Sequence, residues 1–311
     1  MTETTNRKSI IIGATAISLA AIMWGFDGVV LTPRLYNLDI GLVVFILHAL
    51  PFIIMQSVFY RQYKYLKVFT AKDYLVIFLI ALLGGAIGTL SIVKALFLIN
   101  FKELSIVVLL QKLQPVFAIA LAAIILKERL SRYYLIWASI AIVAGYFLTF
   151  GFGLPDITTG SKTTLSAMYA LLAAFSFGSS TVFSKMLLKS YDFKTATFYR
   201  YGLTALIMLV FIIISGKIGD FPKVTGLNWG IFLIIAFTTG SGAIFLYYFG
   251  LNRVKATIAI ICELFFPIST IIFDYIFNQS RLSWIQWLSA AIMIFAIINL
   301  NRSQAPEKIS S

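Results

Sequence analysis

Charge is scarce in this 311-residue chain. Asp, Glu, Lys and Arg make up 12% of it, where a soluble globular domain carries roughly a quarter. A soluble chain this poor in charge could not cover its own core, and the same composition excludes intrinsic disorder. There is one cysteine, Cys262, and one histidine, His48. The first excludes an intramolecular disulfide and a cysteine metal cluster; the second excludes the two-histidine zinc motifs. No G-x-x-x-x-G-K-[ST] loop is present, so ATP does not drive the protein directly. The lack of H-E-x-x-H and G-x-S-x-G argues against an enzyme acting on lipids or peptides. The formal charge of +13 is not gathered on a polar domain, which argues against a nucleic-acid partner.

What is abundant is apolar sequence: 60% of the residues are hydrophobic, and the mean hydropathy is +0.94. A membrane helix needs about 20 mainly apolar residues. Ten such stretches are present, at 10–30, 41–60, 74–98, 104–126, 133–152, 165–184, 195–215, 227–250, 256–277 and 284–300. Short polar segments separate them and leave no room for an extramembrane domain. The runs are continuous rather than alternating, so helices are predicted and a membrane barrel is not. Arg7-Lys8 followed by an apolar run has the outline of a secretory signal. The run continues past Trp24 to Val30, however, and is read as the first span. With the N-terminus in the cytoplasm, 16 Lys and Arg lie in inside segments, 6 in outside loops and 3 within spans. Positive charge concentrates on the cytoplasmic side of membrane proteins, so both termini are predicted to be cytoplasmic.

The chain also repeats. At an offset of 152, Pro115 falls on Pro267, Gly88 on Gly240, and Arg129-Leu130-Ser131 on Arg281-Leu282-Ser283. An offset of 153 puts Gly25 on Gly178 and His48 on Tyr201. Each copy has five spans, an odd number, so the copies enter the membrane from opposite sides. The expected fold is an all-α membrane protein of ten transmembrane helices in two inverted five-helix repeats, 1–152 and 153–311. That design gives two near-equivalent conformations, one open to each side.

Several local patterns carry a resemblance. Trp24-Gly25 lies in the first span, and the glycine-rich third span ends in Ala95-Leu96. Leu113-Gln114-Pro115 is followed by Leu126-Lys127-Glu128-Arg129-Leu130, then by Gly145. At these residues the chain resembles the drug/metabolite transporter superfamily, in its EamA-type branch of ten-span permeases, over about 10–300. The second copy departs at its turn, where Ser280 stands in place of the usual acid. Members of this family move amino acids, metabolites, nucleotide precursors or drugs. Related branches carry nucleotide sugars and phosphorylated sugars. The resemblance implies transport and leaves the cargo open.

An ionisable side chain at membrane depth costs about 2.5–3.5 kcal/mol and usually faces the protein interior or a water-filled cavity. Asp27, Lys94, Lys112, Arg200, Glu263 and Asp274 fall inside predicted spans, as does His48. Lys94 and Asp274 lie near span ends, where a side chain can snorkel to the interface. Asp27, His48, Lys94 and Lys112 are expected to share an outward-side region, with Asp27 able to pair with either lysine. Arg200 and Glu263 would occupy the inward-side counterpart. Gln111 and Gln114 share a helix face with i,i+3 spacing just before Pro115. Proline lacks an amide proton and disturbs the preceding turn, so Pro115 and Pro267 are expected to bend their helices beside Gln111–Gln114 and Glu263. Trp24 and Tyr201 complete the candidate cargo-binding set.

These features predict a secondary transporter working by alternating access in the bacterial inner membrane, with no cofactor and a small-molecule cargo. The embedded cations balance the embedded acids, which suits an amino acid or a related zwitterion. The alternatives are an exchanger of phosphorylated or nucleotide-type anions, or a channel. Asp27 and Glu263 are the deep acids able to carry a coupling proton.

Overall fold

The computed structural model describes residues 3–98, 110–111, 113–128, 130–153, 161–279 and 283–302. Every regular element among them is helical. The α-helices are α1 (Glu3–Phe26), α2 (Ile40–Phe59), α3 (Ala71–Leu79), α4 (Gly88–Leu98), α5 (Gln114–Ile125), α6 (Arg132–Phe150) and α7 (Ser161–Leu187). They continue as α8 (Phe193–Ile214), α9 (Gly226–Phe237), α10 (Ser241–Leu251), α11 (Ala256–Cys262), α12 (Phe265–Asn278) and α13 (Trp284–Arg302). Among the described residues, seven helical runs are long and apolar enough to cross a membrane: Arg7–Leu35, Ile40–Lys67, Ala71–Ala95, Thr164–Leu187, Phe193–Ile214, Gly226–Leu251 and Ala256–Phe277. Three shorter apolar helices, Gln114–Ile125, Arg132–Leu148 and Trp284–Asn299, accompany them.

Capping explains where many helices begin. Thr70 and Asp73 form a reciprocal capping box at the start of α3, and Thr225 and Asn228 do so at α9. Asp39, Ser131 and Asp192 accept from backbone N–H groups at α2, α6 and α8. After α8 the chain turns at Gly216, whose φ of 69° lies in the left-handed region. The Lys217–Lys223 turn that follows carries ion pairs to Asp39 and Asp220. A hydrogen bond from Lys223 holds the Asp220 carboxyl below the usual carboxylate range.

Among the described residues, several of the expected continuous spans are interrupted. Asp27–Leu31 and Ile80–Ile87 are wound as π-helix. The predicted 227–250 span breaks at 238–240, between α9 and α10. There the Gly240 N–H reaches back five residues to the Ile235 carbonyl, 2.7 Å away. A Cβ at Gly240 would lie 2.8 Å from that oxygen, so the tight turn needs glycine. The predicted 256–277 span breaks at Glu263 and Leu264.

Helices of the first half pack chiefly on helices of the second. α1 lies against α10 and α12, α2 against α8, and α6 against α13. α7 lies against α4 and α5, and α5 touches α11. This set of pairings is unchanged when the first five helical runs are exchanged for the last five. Small residues make the closest seams. A Cβ on Gly25 would come within 2.0 Å of Ser269 Oγ. On Gly84 it would come within 2.1 Å of Ser180 Oγ, and on Gly85 within 2.1 Å of Thr204 Oγ1. Such seams let membrane helices approach at backbone distance.

One end of the bundle is tied across helices. The Glu128 carboxylate accepts from the backbone N–H groups of Ala256 (2.9 Å) and Thr257 (3.1 Å), and from the Thr257 hydroxyl (2.8 Å). It thereby caps the start of α11, where a negative charge is favoured. Beside it, Lys185 Nζ donates to the Leu251 carbonyl (2.7 Å) at the end of α10, where a positive charge is favoured.

Candidate functional site

The two broken helices meet in the middle of the bundle. Pro115 lies in the first turn of α5, directly after the break at Leu113, and Pro267 in the first turn of α12, after the break at Glu263. A proline gives no N–H to the carbonyl four residues back. For Pro267 that carbonyl belongs to Glu263, which accepts instead from Phe266 N at 2.9 Å in a tighter turn. The break aims the Glu263 side chain across to the other half. Oε2 accepts from Gln114 Nε2 (2.9 Å), and Oε1 from the Tyr247 hydroxyl (2.6 Å) and Thr181 Oγ1 (3.4 Å). The Trp24 ring lies over Tyr247, centroids 5.4 Å apart and tilted by 49°.

A second cluster adjoins the first through the neighbouring residue Tyr248. Arg200 donates to the Tyr248 hydroxyl (2.9 Å) and to the Gly84 carbonyl (3.0 Å), in the π-helical segment. Tyr248 is also bonded to Ser184 at 2.7 Å. Tyr201 follows Arg200 and packs on the His48 ring at 5.3 Å. His48 is buried, with Nδ1 2.8 Å from the Val44 carbonyl. Trp24, Gln114, Arg200 and Glu263 each keep some accessible surface although helices surround them. That combination describes partly accessible side chains gathered between helices. It contains aromatic faces, neutral hydrogen-bonding groups and one carboxylate already supplied with donors. The apolar hollows between α2 and α10, of about 230 Å³, and between α6 and α13, of about 440 Å³, lie apart from it.

The remaining sequence candidates are placed differently. Lys94 is exposed on α4 and reaches the surface with its long stem. It forms no ion pair with Asp27: the ion pairs among the described residues all involve the Lys217–Lys223 turn. Of the two pairings open to Asp27, the one with Lys94 is not formed. Lys112 lies outside the described residues, and Gln111 is half-buried beside the break. Asp27 lies in the π-helical segment after α1, flanked by Thr32 and Thr239 rather than by a lysine. Sequence reasoning missed Thr181, Ser184, Tyr247 and Tyr248. Thr181 and Ser184 have the i,i+3 spacing that puts both hydroxyls on one face of α7, which is the signal that could have found them.

A family model describes two successive parts of the chain. The EamA-like transporter model matches residues 11–151 and again 164–302. The chain belongs to the EamA-like transporter family. This EamA-like protein is 52% identical over 291 residues to the riboflavin transporter ImpX of Fusobacterium nucleatum subsp. nucleatum (strain ATCC 23726 / VPI 4351). That alignment covers 93% of this chain and 97% of the relative. It is 22% identical over 297 residues to the uncharacterized transporter YoaV of Bacillus subtilis (strain 168), covering 94% and 96% of the two chains. A solved structure described only as "Crystal structure of protein" superposes with a TM-score of 0.71 at 14% identity, over 94% of this chain and 97% of that one. This last likeness concerns the fold alone. The protein is a multi-pass membrane transporter of a small molecule, and it is not an enzyme.

Proposed function

We propose that this transporter carries riboflavin or a close flavin analogue by alternating access. The observation that carries the reading is the 52% identity, over nearly the whole of both chains, to a riboflavin transporter. The chemistry of the site supports it. Riboflavin is neutral, with a flat tricyclic ring, one pyrimidine-like edge of alternating donors and acceptors, and a chain of hydroxyls. Trp24 and Tyr247 offer aromatic faces, and offset or tilted ring contacts are favourable. Gln114, Thr181 and Glu263 offer acceptors and donors in reach of the same space.

The zwitterion expected from charge counting fits less well. It needs a cation and an anion both free to bind cargo. Glu263 is already held by neutral donors, Arg200 is bonded to Tyr248 and Gly84, and Lys94 faces outward. Among the described residues, the same dispersal of cations argues against a phosphorylated cargo.

The ten-span, inverted-repeat architecture belongs to this proposal, with repeats at 1–152 and 153–311 and both termini cytoplasmic in a bacterial inner membrane. It is supported by the two successive family matches and by helix pairings that survive exchange of the halves. The test is counterflow in proteoliposomes. Riboflavin loaded inside should accelerate entry of labelled riboflavin, and unlabelled riboflavin should compete better than any amino acid. Entry indifferent to the internal load would indicate a channel, and preference for an amino acid would reinstate the zwitterion.

A further inference from the structure

Both oxygens of Glu263 have donors; one oxygen of Asp27 has none. Its Oδ1 is buried and has no hydrogen-bond partner among the described residues. Thr239 is 3% exposed, and its Oγ1 is likewise buried without a partner. Thr32 and Thr239 flank the Asp27 carboxyl. Both acid and threonine lie at interruptions of the helical hydrogen-bond pattern. Asp27 opens the Asp27–Leu31 π-helical segment, and Thr239 lies in the break just past the C-terminal end of α9, which this segment packs against.

The electrostatics of that meeting are one-sided. The C-terminal end of a helix carries partial negative charge, and a carboxylate beside it adds more. A buried carboxylate with an unpaired oxygen is costly unless a cation or a proton compensates it. Among the described residues, the surrounding elements provide no basic partner. Arg34, in the adjoining Thr32–Leu35 turn, donates to the Val30 carbonyl. α9 holds no titratable residue. α12 contributes Asp274 and Tyr275, an acid and a phenol. Arg7 and Lys8 are at the opposite end of α1. From α8 the Tyr201 phenol lies within electrostatic reach of the carboxyl, while Arg200 is engaged by Tyr248 and Gly84.

We propose that Asp27 is the coupling-proton site of this transporter, with Thr239 as the acceptor for its acid form. One proton taken from the aqueous phase converts the carboxylate to a carboxylic acid. The new O–H donates to Thr239 Oγ1, so a single proton satisfies both orphaned atoms. When the site opens to the other side, the O–H bond breaks and the proton leaves to water. Glu263 then serves cargo recognition and Asp27 serves coupling. The inference rests on the transport reading but not on flavin as the cargo.

Infrared titration of the full-length reconstituted protein reads the proton directly, without cargo. The expected result is a carboxylic-acid carbonyl band that grows as pH falls, is missing in Asp27→Asn, and shifts to higher frequency in Thr239→Val, which keeps the acid but loses its acceptor. A band unchanged in both variants overturns the proposal. In vesicles, an imposed pH gradient should drive accumulation of labelled riboflavin by the wild-type protein, and that accumulation should be lost in Asp27→Asn. Accumulation that follows a sodium gradient instead of the pH gradient would also overturn it. If riboflavin shows no counterflow in the wild type, the cargo assignment fails and the infrared result still decides the proton site.

Discussion

In the proposed cargo site Glu263 is the centre of the polar contacts, because Gln114, Thr181 and Tyr247 all converge on its two oxygens. A hydrogen bond to a charged group is worth about 1.5–3 kcal/mol, so Glu263→Gln is expected to weaken riboflavin binding roughly tenfold or more. Quenching of flavin fluorescence by the purified protein measures this, and an unchanged affinity would remove Glu263 from the site. At this scale the sequence was legible where a polar group had no reason to be in a membrane. Glu263, Gln114, Arg200 and Asp27 stood out for that reason. Tyr247 and Tyr248 did not, because an aromatic residue in an aromatic-rich span carries no such signal. The identity of Asp27's neighbour was also hidden, since the pairing of α9 with the first span is a long-range contact that spacing does not encode.

Among the elements, the close crossing of α1 and α12 makes a sharp prediction. A methyl group at Gly25 meets Ser269 Oγ at 2.0 Å and Thr270 N at 2.9 Å, whereas one at Gly28 meets nothing within 4 Å. Overpacking costs typically about 1–3 kcal/mol, so Gly25→Ala should lower the melting temperature in detergent while Gly28→Ala leaves it alone. Equal effects from the two would mean that α1 and α12 do not cross at Gly25. The Glu128 cap gives a second expectation. Loss of an N-cap side chain costs about 0.5–2 kcal/mol, and Glu128→Ala should lower the same melting temperature, with Glu128→Gln falling between. A silent Glu128→Ala would show that the cap does not hold α11. Hydropathy located the seven helical runs long enough to cross a membrane because twenty apolar residues in a row have few other uses. It did not locate the interruptions. Ile80–Ile87 contains no proline, and Thr238-Thr239-Gly240 is apolar enough to pass as continuous helix.

For the whole molecule, the expectation is that the termini lie on one side. Reporter fusions at the N-terminus and after residue 311 should both report the cytoplasm, and a split result would require an odd number of spans and discard the two five-span copies. That the family pattern occurs twice was readable from the chain, because an offset of 152 aligns Pro115 with Pro267, each at the same distance from an Arg-Leu-Ser turn. The way in which the halves interleave was not readable. A repeat in sequence is compatible with two separate bundles, whereas α1 crosses to α10 and α12 and α7 crosses to α4 and α5.

Gly84 and Gly85 press the π-helical part of the third helical run onto Ser180 and Thr204 so closely that a single methyl group would overlap either side chain. A seam that tight has no width for a file of water molecules, so this crossing also insulates. A carrier that harvests a proton gradient depends on that seal. Gly85→Val should pry it open, and cargo-free vesicles holding the variant should dissipate an imposed pH gradient faster than wild type. Equal decay would mean that the barrier to leakage lies elsewhere in the bundle.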